Sequence, residues 1–297
     1  MKVRIGMALT VVAMLALGAV ALTGCGTNAP STTGSETSST AGAAGQESGT
    51  LNIAGSDTMV NMAQAWSEAY GEVNPNASIA VKGGGSGNGI AALINKTVDF
   101  ADASRDIKPE EITQANANGV DPVTTVVAKD GVVVIANTAN TVADITKDNL
   151  GKVYRGEITN WKDLGGSDAP IVLLGRDSSS GTYGFIQDEV VGKDKKYAKT
   201  MRSLQSNQAI VDEVAKNPNA IGYVGLGYES DAIKPLTVGK VTASIDTVLD
   251  GSYPLSRPLN MISNGDPTGL AAAYLKWILG PDGQKIVKDQ GFVPLSQ

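Results

Sequence analysis

Apolar positions in the body of the chain follow two alternating spacings. Residues 51–54 form a short apolar run that ends at a glycine, and over residues 59–73 apolar side chains recur at helical intervals until an Asn-Pro pair interrupts them. The run predicts a strand and the intervals predict an amphipathic helix. Strand, turn and helix recur in this order over residues 78–94 and 171–190. Strands that alternate with helices predict an α/β fold with largely parallel sheets.

Further apolar segments complete the predicted body. Residues 98–101, 131–137 and 221–224 have the short apolar runs of buried strands, and residues 270–278 form a strongly apolar helix near the C-terminus. We find no internal repeat of fixed period along the chain. With 297 residues, the chain is expected to form two domains rather than one small module.

The first 24 residues have the pattern of an export signal. Lys2 and Arg4 precede an uncharged run over residues 5–22, which matches the charged region and the apolar region of a secretory signal peptide. A retained membrane helix is the alternative, because this run has the minimum length of a membrane span. Residues 1–24 are therefore predicted to be a signal peptide and are left out of the fold.

A lipid anchor is predicted at the single cysteine. Residues 22–25 (LTGC) resemble the bacterial lipoprotein signal, in which cleavage before the cysteine leaves it as an N-terminus with lipid on its sulfur. Cys25 also stands in polar, glycine-rich surroundings, where a buried thiol is not expected. Because the following residues are almost all Gly, Ser, Thr, Ala or polar, residues 25–50 are predicted to be a lipid-anchored flexible tether. The body should then work at the extracytoplasmic face of a cell membrane.

Composition removes several classes of function. The formal net charge is −6, from 24 Lys and Arg against 30 Asp and Glu, so the chain has no basic excess to neutralise a nucleic-acid backbone. It has no histidine and one cysteine, which removes histidine-based triads, histidine metal ligands, zinc clusters and intrachain disulfides. The hydrophobic share of 42% and the charged share of 18% are those of a soluble globular protein. We therefore expect no nucleic-acid partner, no metal and no cofactor.

Three of the predicted turns between strand and helix combine glycines with hydroxyl side chains. Glycines let backbone N–H groups approach a ligand, and the dipole of the following helix favours negative charge. The candidate anion-binding residues of these turns are Ser56, Asp57, Thr58, Ser86, Ser178, Ser180, Gly181 and Thr182. Arg176 precedes the third turn, and Ser104 and Arg105 follow another strand, so two guanidinium groups could face the same anion.

Each of these features also has a purely structural explanation. Ser and Asp before a helix are ordinary caps, glycine-rich segments are often plain turns, and a single arginine is usually a solvated surface group. The glycines of residues 83–89 match neither the dinucleotide-binding pattern nor the P-loop, and neither Gly-x-Ser-x-Gly nor Ser-x-x-Lys occurs in the chain. The combination favours an anion-binding site without catalytic residues.

Six segments of the chain resemble the phosphate-binding proteins that supply bacterial ABC transporters, a branch of the periplasmic binding proteins. They are residues 55–59 (GSDTM), 83–90 (GGGSGNGI), 103–105 (ASR), 158–161 (ITNW), 176–182 (RDSSSGT) and 253–259 (YPLSRPL). The resemblance extends over residues 51–295. A lipobox followed by a Ser- and Thr-rich tether is also typical of these proteins in bacteria that anchor them.

The resemblance implies a two-lobed periplasmic-binding-protein fold, similar to type II, in which two α/β domains are joined by a two-strand hinge. Lobe 1 would comprise residues 51–128 and 256–297, and lobe 2 would comprise residues 129–255 with the hinge crossings. Inorganic phosphate would be buried between the lobes and held by hydrogen bonds. Its ligands would be Ser56, Asp57, Thr58, Ser86, Ser104 and Arg105 from lobe 1, and Arg176, Ser178, Ser180, Gly181 and Thr182 from lobe 2. The protein would be a monomer that delivers phosphate to the permease subunits of an ABC importer, and not an enzyme.

Two positions depart from the better-known members of that family. Those members have an aspartate where this chain has Arg105 and another where it has Ser178, so the proton of the ligand needs a different acceptor, Asp57 or Asp177. A carboxylate that accepts this proton would favour phosphate over fully ionised sulfate. The alternatives are a binding protein for sulfate, molybdate or tungstate and, with less support, a surface enzyme, an adhesin or a sensor.

Overall fold

The structure is a computed structural model and describes residues 47–295. The strands in this range are β1 (Gly49–Gly55), β2 (Ala77–Lys82), β3 (Phe100–Ala103), β4 (Pro122–Asn137), β5 (Asp144–Ile145), β6 (Val172–Arg176), β7 (Arg202–Leu204), β8 (Ala220–Gly225), β9 (Ile233–Val238) and β10 (Ser256–Asn264). The helices are α1 (Val60–Val73), α2 (Ser86–Ile94), α3 (Pro109–Ala117), α4 (Lys147–Arg155), α5 (Gly181–Ile186), α6 (Asn207–Lys216), α7 (Ile245–Leu249), α8 (Gly269–Ile278) and α9 (Pro281–Asp289). Over these residues, no helix combines the length and the apolar character that a membrane crossing needs.

Lobe 1 is built on a sheet with the strand order β2-β1-β3-β10-β4. β1 runs parallel to β2 and β3, whereas β10 runs antiparallel to β3 and β4. Consecutive residues of a strand point to opposite faces of a sheet, and helices pack against both faces of this one. Phe100 of β3 packs in the cluster that contains Trp66 of α1 and Tyr274 of α8, and the next residue, Ala101, packs in the cluster that contains Ile90 of α2.

The lobes are connected through β4, which is 16 residues long. Its first part pairs with β10 as far as Gly131, and from Val132 onward it pairs with β8 and β9. β10 runs back beside β4, and its residue Arg257 stands directly opposite Asp130. Two antiparallel strands therefore form the crossing between the lobes.

Lobe 2 continues the sheet through β4, β8, β6 and β7, with β9 on the other side of β4 and β5 beside β9. β6 runs parallel to β7 and to β8. The core of this lobe contains Tyr154 of α4 and Tyr223 of β8, whose ring centroids are 5.3 Å apart, and Ile210 and Val214 of α6. β8 separates β6 from the crossing strands, and Nη1 of Arg176, at the end of β6, lies 3.4 Å from Asp57 Oδ2 of lobe 1.

The α/β fold class and the two-lobed architecture are confirmed, and several segments differ in their ends. β1 begins at Gly49 rather than at residue 51, because its first residues already pair with β2. The helix predicted within residues 171–190 begins at Gly181 and becomes a π-helical turn at Gln187. The expectation of largely parallel sheets is wrong around the crossing, where β4 and β10 are antiparallel to every strand with which they pair. Apolar periodicity identifies a strand but not its direction.

Two sequence predictions lie outside the described residues. The signal peptide, residues 1–24, is one of them. The lipid attachment at Cys25 is the other, together with most of the tether. The residue bounds given above for the two lobes stay a prediction.

Candidate functional site

Hydroxyl groups from both lobes meet where the predicted turns converge. Thr58 precedes α1 in lobe 1, Thr182 lies in the first turn of α5 in lobe 2, and their Oγ1 atoms are 3.0 Å apart in a buried contact. Gly181 comes equally close to lobe 1: a Cβ atom added to it would lie 2.3 Å from Ser86 Oγ and 2.5 Å from Ser104 Oγ. Glycine at this position is what allows α5 to begin against these hydroxyls.

The serines of lobe 1 form a connected, buried set. Ser56 Oγ donates to Ser104 Oγ at 2.9 Å, and the Ser104 N–H donates to Ser86 Oγ at 3.1 Å. Ser56 follows β1 and Ser104 follows β3, and because these strands are parallel neighbours their carboxyl ends lie at one edge of the sheet. Ser86 opens α2 at the same edge. The strand order therefore brings together three hydroxyls that are far apart in sequence.

The start of α5 contributes backbone donors from lobe 2. Ser180 is the N-cap, and its Oγ accepts from the Tyr183 N–H at 3.3 Å. The N–H groups of Gly181 and Thr182 belong to the first turn, where an α-helix has no internal acceptor for them. Both residues are buried. Their N–H groups are therefore available to a ligand held between the lobes.

Arg176 is a buried cation at the end of β6, with 1% of the residue exposed. Its Nε donates to the Leu204 carbonyl at 3.2 Å, and its Nη2 donates to the Gln205 carbonyl at 2.7 Å. Its Nη1 is buried without a hydrogen-bond partner in the described part of the chain and lies 3.4 Å from Asp57 Oδ2. Carbonyl groups thus fix the guanidinium, and one of its nitrogens can still donate to an anion.

Asp57 connects the lobes and does not cap α1. Its Oδ2 accepts from the backbone N–H and from Nδ2 of Asn207 on α6, at 2.8 and 2.9 Å. Its carbonyl accepts from the Tyr228 hydroxyl at 2.8 Å. Burial, and then the charge of Asp57, raise the pKa of Tyr228 above its ordinary value. Groups of lobe 2 therefore hold Asp57 beside Arg176.

The other predicted carboxylate, Asp177, is bound to its own turn. Its Oδ1 accepts from the N–H and the hydroxyl of Ser179, at 2.8 and 2.5 Å. Ser178 is exposed, and the structure does not bring it into the hydroxyl cluster. The carbonyl of Ser179 makes a contact that sequence analysis missed, since it accepts from the Gly87 N–H at 2.9 Å. This bond joins the turn of lobe 2 to the glycine-rich turn of lobe 1.

The guanidinium of Arg105 is engaged by a carboxylate. Its Nη1 and Nη2 donate to the two carboxylate oxygens of Glu111, at 2.8 and 2.6 Å. Burial alone would raise the pKa of Glu111, but the hydrogen bonds and the charge of Arg105 bring it below its ordinary value. The Arg105 guanidinium is therefore paired with a carboxylate six residues later, and its side chain is 11% exposed, at what we call the rim of the cluster. A role of Arg105 in anion binding stays a prediction.

The second guanidinium near the cluster belongs to Arg257, which sequence analysis did not identify. Its Nε and Nη2 donate to Asp130 Oδ2 at 2.9 and 2.7 Å, and its Nη1 donates to Thr182 Oγ1 at 3.0 Å. Both charged side chains are almost fully buried. The available signal was a single basic residue inside the apolar segment at residues 253–259. That segment does not show that its arginine points inward.

The chain is similar to known binding proteins along most of its length. Residues 38–282 match the family model of the PBP superfamily domain. The phosphate-binding protein PstS of Bacillus subtilis is 35% identical over 259 residues, which cover 86% of this chain and 84% of that protein. The chain belongs to this family of phosphate-binding proteins. PstS of Borreliella burgdorferi is 31% identical over 254 residues, covering 82% of this chain and 89% of that protein.

A solved structure supports the same membership in the phosphate-binding protein family. A crystal structure of an ABC transporter substrate-binding protein from Clostridium perfringens, with bound phosphate, matches with a TM-score of 0.79 and 32% sequence identity. The match covers 84% of this chain and 100% of that chain. The two-lobed fold described above is therefore the fold of this family.

The residues that the family resemblance implied as ligands fall into two groups in the structure. The first group is buried where the lobes meet, with Asp57 beside it. It comprises Ser56, Thr58, Ser86, Ser104, Arg176, Ser180, Gly181 and Thr182. The second group has other surroundings and comprises Arg105, paired with Glu111 at the rim, and Ser178, which is exposed. Asp177, predicted only as an alternative proton acceptor, is bound to its own turn.

Proposed function

We propose that this chain captures inorganic phosphate between its two lobes and delivers it to an ABC importer. Its relatives named phosphate-binding proteins, and the Clostridium structure with bound phosphate, support this ligand. The observation that carries the proposal is Arg176 Nη1, a buried donor without a hydrogen-bond partner in residues 47–295, at the point where both lobes contribute hydroxyls. A buried cationic donor without an acceptor is costly, and an anion supplies the acceptor.

The proposed ligands of phosphate are mostly neutral donors around one cation. They are the guanidinium of Arg176, the hydroxyls of Ser86, Ser104 and Thr182, and the N–H groups of Gly181 and Thr182. Thr58, Ser56 and Ser180 stand behind this set and position it, through bonds to Thr182, to Ser104 and to the Tyr183 N–H. The set contains no hydroxyl paired with a histidine base, since the chain has no histidine. Binding and release, as in the relatives that serve transporters, is therefore the proposed activity.

We propose Asp57 as the acceptor for the proton of phosphate. Its carboxylate lies 3.4 Å from the Arg176 nitrogen that can donate to the anion. Each carboxylate has one oxygen that already accepts two hydrogen bonds, but those of Asp177 hold it in its own turn at Ser179, whereas Asp57 is the carboxylate paired with Arg176. Phosphate carries a proton near neutral pH and sulfate does not, so a carboxylate at this point would repel sulfate.

Isothermal titration calorimetry tests the proposed ligand. The chain without its first 24 residues, freed of bound anion, is titrated with phosphate, sulfate and molybdate. We expect binding of phosphate and no comparable binding of the other two anions. Asp57→Asn should lose phosphate affinity and gain tolerance for sulfate, whereas the matched variant Asp177→Asn should still exclude sulfate. A wild-type chain that binds sulfate as tightly as phosphate would refute the proposal.

We also propose that the chain is a monomeric lipoprotein on the extracytoplasmic face of the membrane, where it meets the permease subunits of its importer. The support is the signal pattern of residues 1–24, the LTGC segment that ends at Cys25, and the polar composition of residues 26–50. Cys25→Ser should move the protein from the membrane fraction to the soluble fraction and leave its phosphate affinity unchanged. An intact N-terminus at Met1 in the mature protein would contradict the anchor.

A further inference from the structure

The two strands of the hinge carry an ion pair that extends to the proposed site. Arg257 on β10 stands opposite Asp130 on β4, and their side chains are 1% and 0% exposed. Asp130 also accepts from the Leu226 N–H at 2.9 Å. Burial raises the pKa of Asp130 and lowers the pKa of Arg257, and the attraction between the two groups opposes both shifts. Each charge therefore depends on the other to remain inside the protein.

All five N–H donors of Arg257 have acceptors, which fixes its orientation. Besides the two bonds to Asp130, Nη1 donates to the Ser104 carbonyl and to Thr182 Oγ1, both at 3.0 Å, and Nη2 is 3.4 Å from Thr58 Oγ1. The guanidinium also lies over the ring of Phe185, 5.5 Å from its centroid. One rigid group on the hinge thus contacts a threonine from each lobe.

The directions of the two threonine hydroxyls follow from counting hydrogens. A hydroxyl has one hydrogen and two lone pairs. Thr58 Oγ1 faces two donors, Arg257 Nη2 and Asn207 Nδ2, each at 3.4 Å, so its own hydrogen must point to Thr182 Oγ1. Thr182 Oγ1 then accepts from Thr58 and from Arg257, which uses both of its lone pairs. Its hydrogen has no acceptor left among the hydrogen bonds of residues 47–295, and it can be donated to a ligand.

We propose that Arg257 is a positioning residue that fixes the Thr182 hydroxyl as a donor to the bound anion. Asp130 acts behind it, because it holds the guanidinium in the orientation that reaches both threonines. The chain of bonds from Asp130 through Arg257 to Thr182 also polarises the hydroxyl, since hydrogen bonds in series strengthen one another. Without Arg257 the two threonines could exchange the roles of donor and acceptor, and the site would lose a hydroxyl donor directed at the anion. This inference rests on the proposed function.

A double-mutant cycle on phosphate affinity tests this inference. Arg257→Lys keeps a cation against Asp130 but loses the planar fork, and Thr182→Val removes the hydroxyl. We expect each change to weaken phosphate binding about tenfold or more, as for the loss of a charge-assisted donor. The double variant should be no more than about twofold weaker than Thr182→Val, because both changes remove the same donor. In a Thr182→Ser background, which retains the hydroxyl, Arg257→Lys should still cost affinity.

Two outcomes would overturn the inference: additive losses in the double variant, or an unchanged affinity in Arg257→Lys. Thermal unfolding of each variant shows that it is folded at the temperature of the titration. If Arg257→Lys does not fold, Arg257→Gln combined with Asp130→Asn replaces it, because this paired change removes both buried charges. The cycle is then measured between the paired change and Thr182→Val, and non-additive losses of phosphate affinity are again expected. If the wild-type chain does not bind phosphate, the proposed function fails and this inference falls with it. If it binds phosphate and the cycle is additive, only this inference fails.

Discussion

Two of the arginine–carboxylate pairs near the meeting point of the lobes differ in what surrounds them. Arg257 and Asp130 lie inside the hinge with side chains 1% and 0% exposed, and the guanidinium contacts a threonine of each lobe. Arg105 and Glu111 lie at the rim with side chains 11% and 16% exposed, and their remaining partners belong to the same segment of the chain. The inner pair positions the proposed site, and the rim pair fixes the start of α3.

The comparison shows that an arginine near the cluster can be held in different ways. Arg105 follows a strand at the edge that carries the site, and Glu111 binds both of its terminal nitrogens. Arg176 is held by two carbonyl groups, and its only carboxylate contact in the described residues is a single one, at 3.4 Å to Asp57. We therefore expect Arg176 to contribute more to anion binding than Arg105.

The largest expected effect is the difference in phosphate affinity between a variant of the inner cluster and a variant at the rim. Arg176→Ala removes a buried cationic donor, and two charge-assisted hydrogen bonds of ~1.5–3 kcal/mol each correspond to a loss of ~3–6 kcal/mol in binding free energy. Arg105→Ala removes a guanidinium that Glu111 already occupies, and it should change the affinity by less than about threefold. Calorimetric titration of both variants with phosphate checks this. Equal losses in the two variants would remove the distinction between the inner cluster and the rim.

The next effect concerns the stability of the two pairs. Asp130→Asn leaves Arg257 as a buried charge without its partner and should lower the free energy of unfolding by ~3–5 kcal/mol. Glu111→Gln, the matched change at the rim, should cost less than about 1 kcal/mol, because that pair is partly exposed. Urea unfolding measures both values. A rim variant as unstable as the hinge variant would show that burial is not what separates them.

A third carboxylate, Asp102 on β3, sharpens the comparison because it is buried without an arginine. Its Oδ1 has no hydrogen-bond partner in the described region, and burial raises its pKa from 3.8 to about 8. Between these values the folded state keeps a proton that the unfolded state has lost, so the free energy of unfolding should fall as the pH rises through this range. Asp102→Asn should make that profile flatter. The free energy of unfolding of the wild type and of Asp102→Asn is measured from pH 4 to pH 8. If the two curves run parallel, Asp102 is ionised in the folded protein and the account is wrong.

The smallest expected effect tests how closely the lobes approach in the two regions. In Gly181→Ala, the added Cβ would lie 2.3 Å from Ser86 Oγ, and an overpacked contact of this kind costs ~1–3 kcal/mol. Phosphate affinity should therefore fall about tenfold. Gly184→Ala is the control, because its Cβ would meet Arg105 Cδ at 3.1 Å, and that flexible side chain at the rim can move. A loss in Gly184→Ala as large as in Gly181→Ala would contradict the different packing of the two regions.

Much of the fold could be predicted because the signals for it are local. The apolar run before Gly55 and the helical spacing after residue 59 are properties of neighbouring residues, and both elements are present. The antiparallel return of β10 could not be predicted in this way, because its partners β3 and β4 are more than one hundred residues away in sequence. Strand direction at the hinge is a property of the whole fold.

Contacts between residues distant in sequence also limit the prediction of the site. Serines and a glycine at the ends of strands were recognisable, because turns of this composition are short and continuous in sequence. The side-chain direction of Arg105 depends on Glu111, and the burial of Arg257 depends on Asp130, which lies 127 residues earlier. Sequence analysis identified the segments that carry these residues, but their orientation is set by tertiary contacts.

The central claim is that both lobes supply donors to one anion at the inner cluster, and a crystal structure grown with phosphate tests it most directly. Phosphate is expected between Arg176 Nη1 and Thr182 Oγ1, within hydrogen-bond distance, ~3 Å, of atoms from both lobes. The Thr182 hydroxyl should contact a phosphate oxygen while Arg257 still donates to Thr182 Oγ1. Phosphate bound at the rim beside Arg105, or held by residues of one lobe alone, would contradict this account.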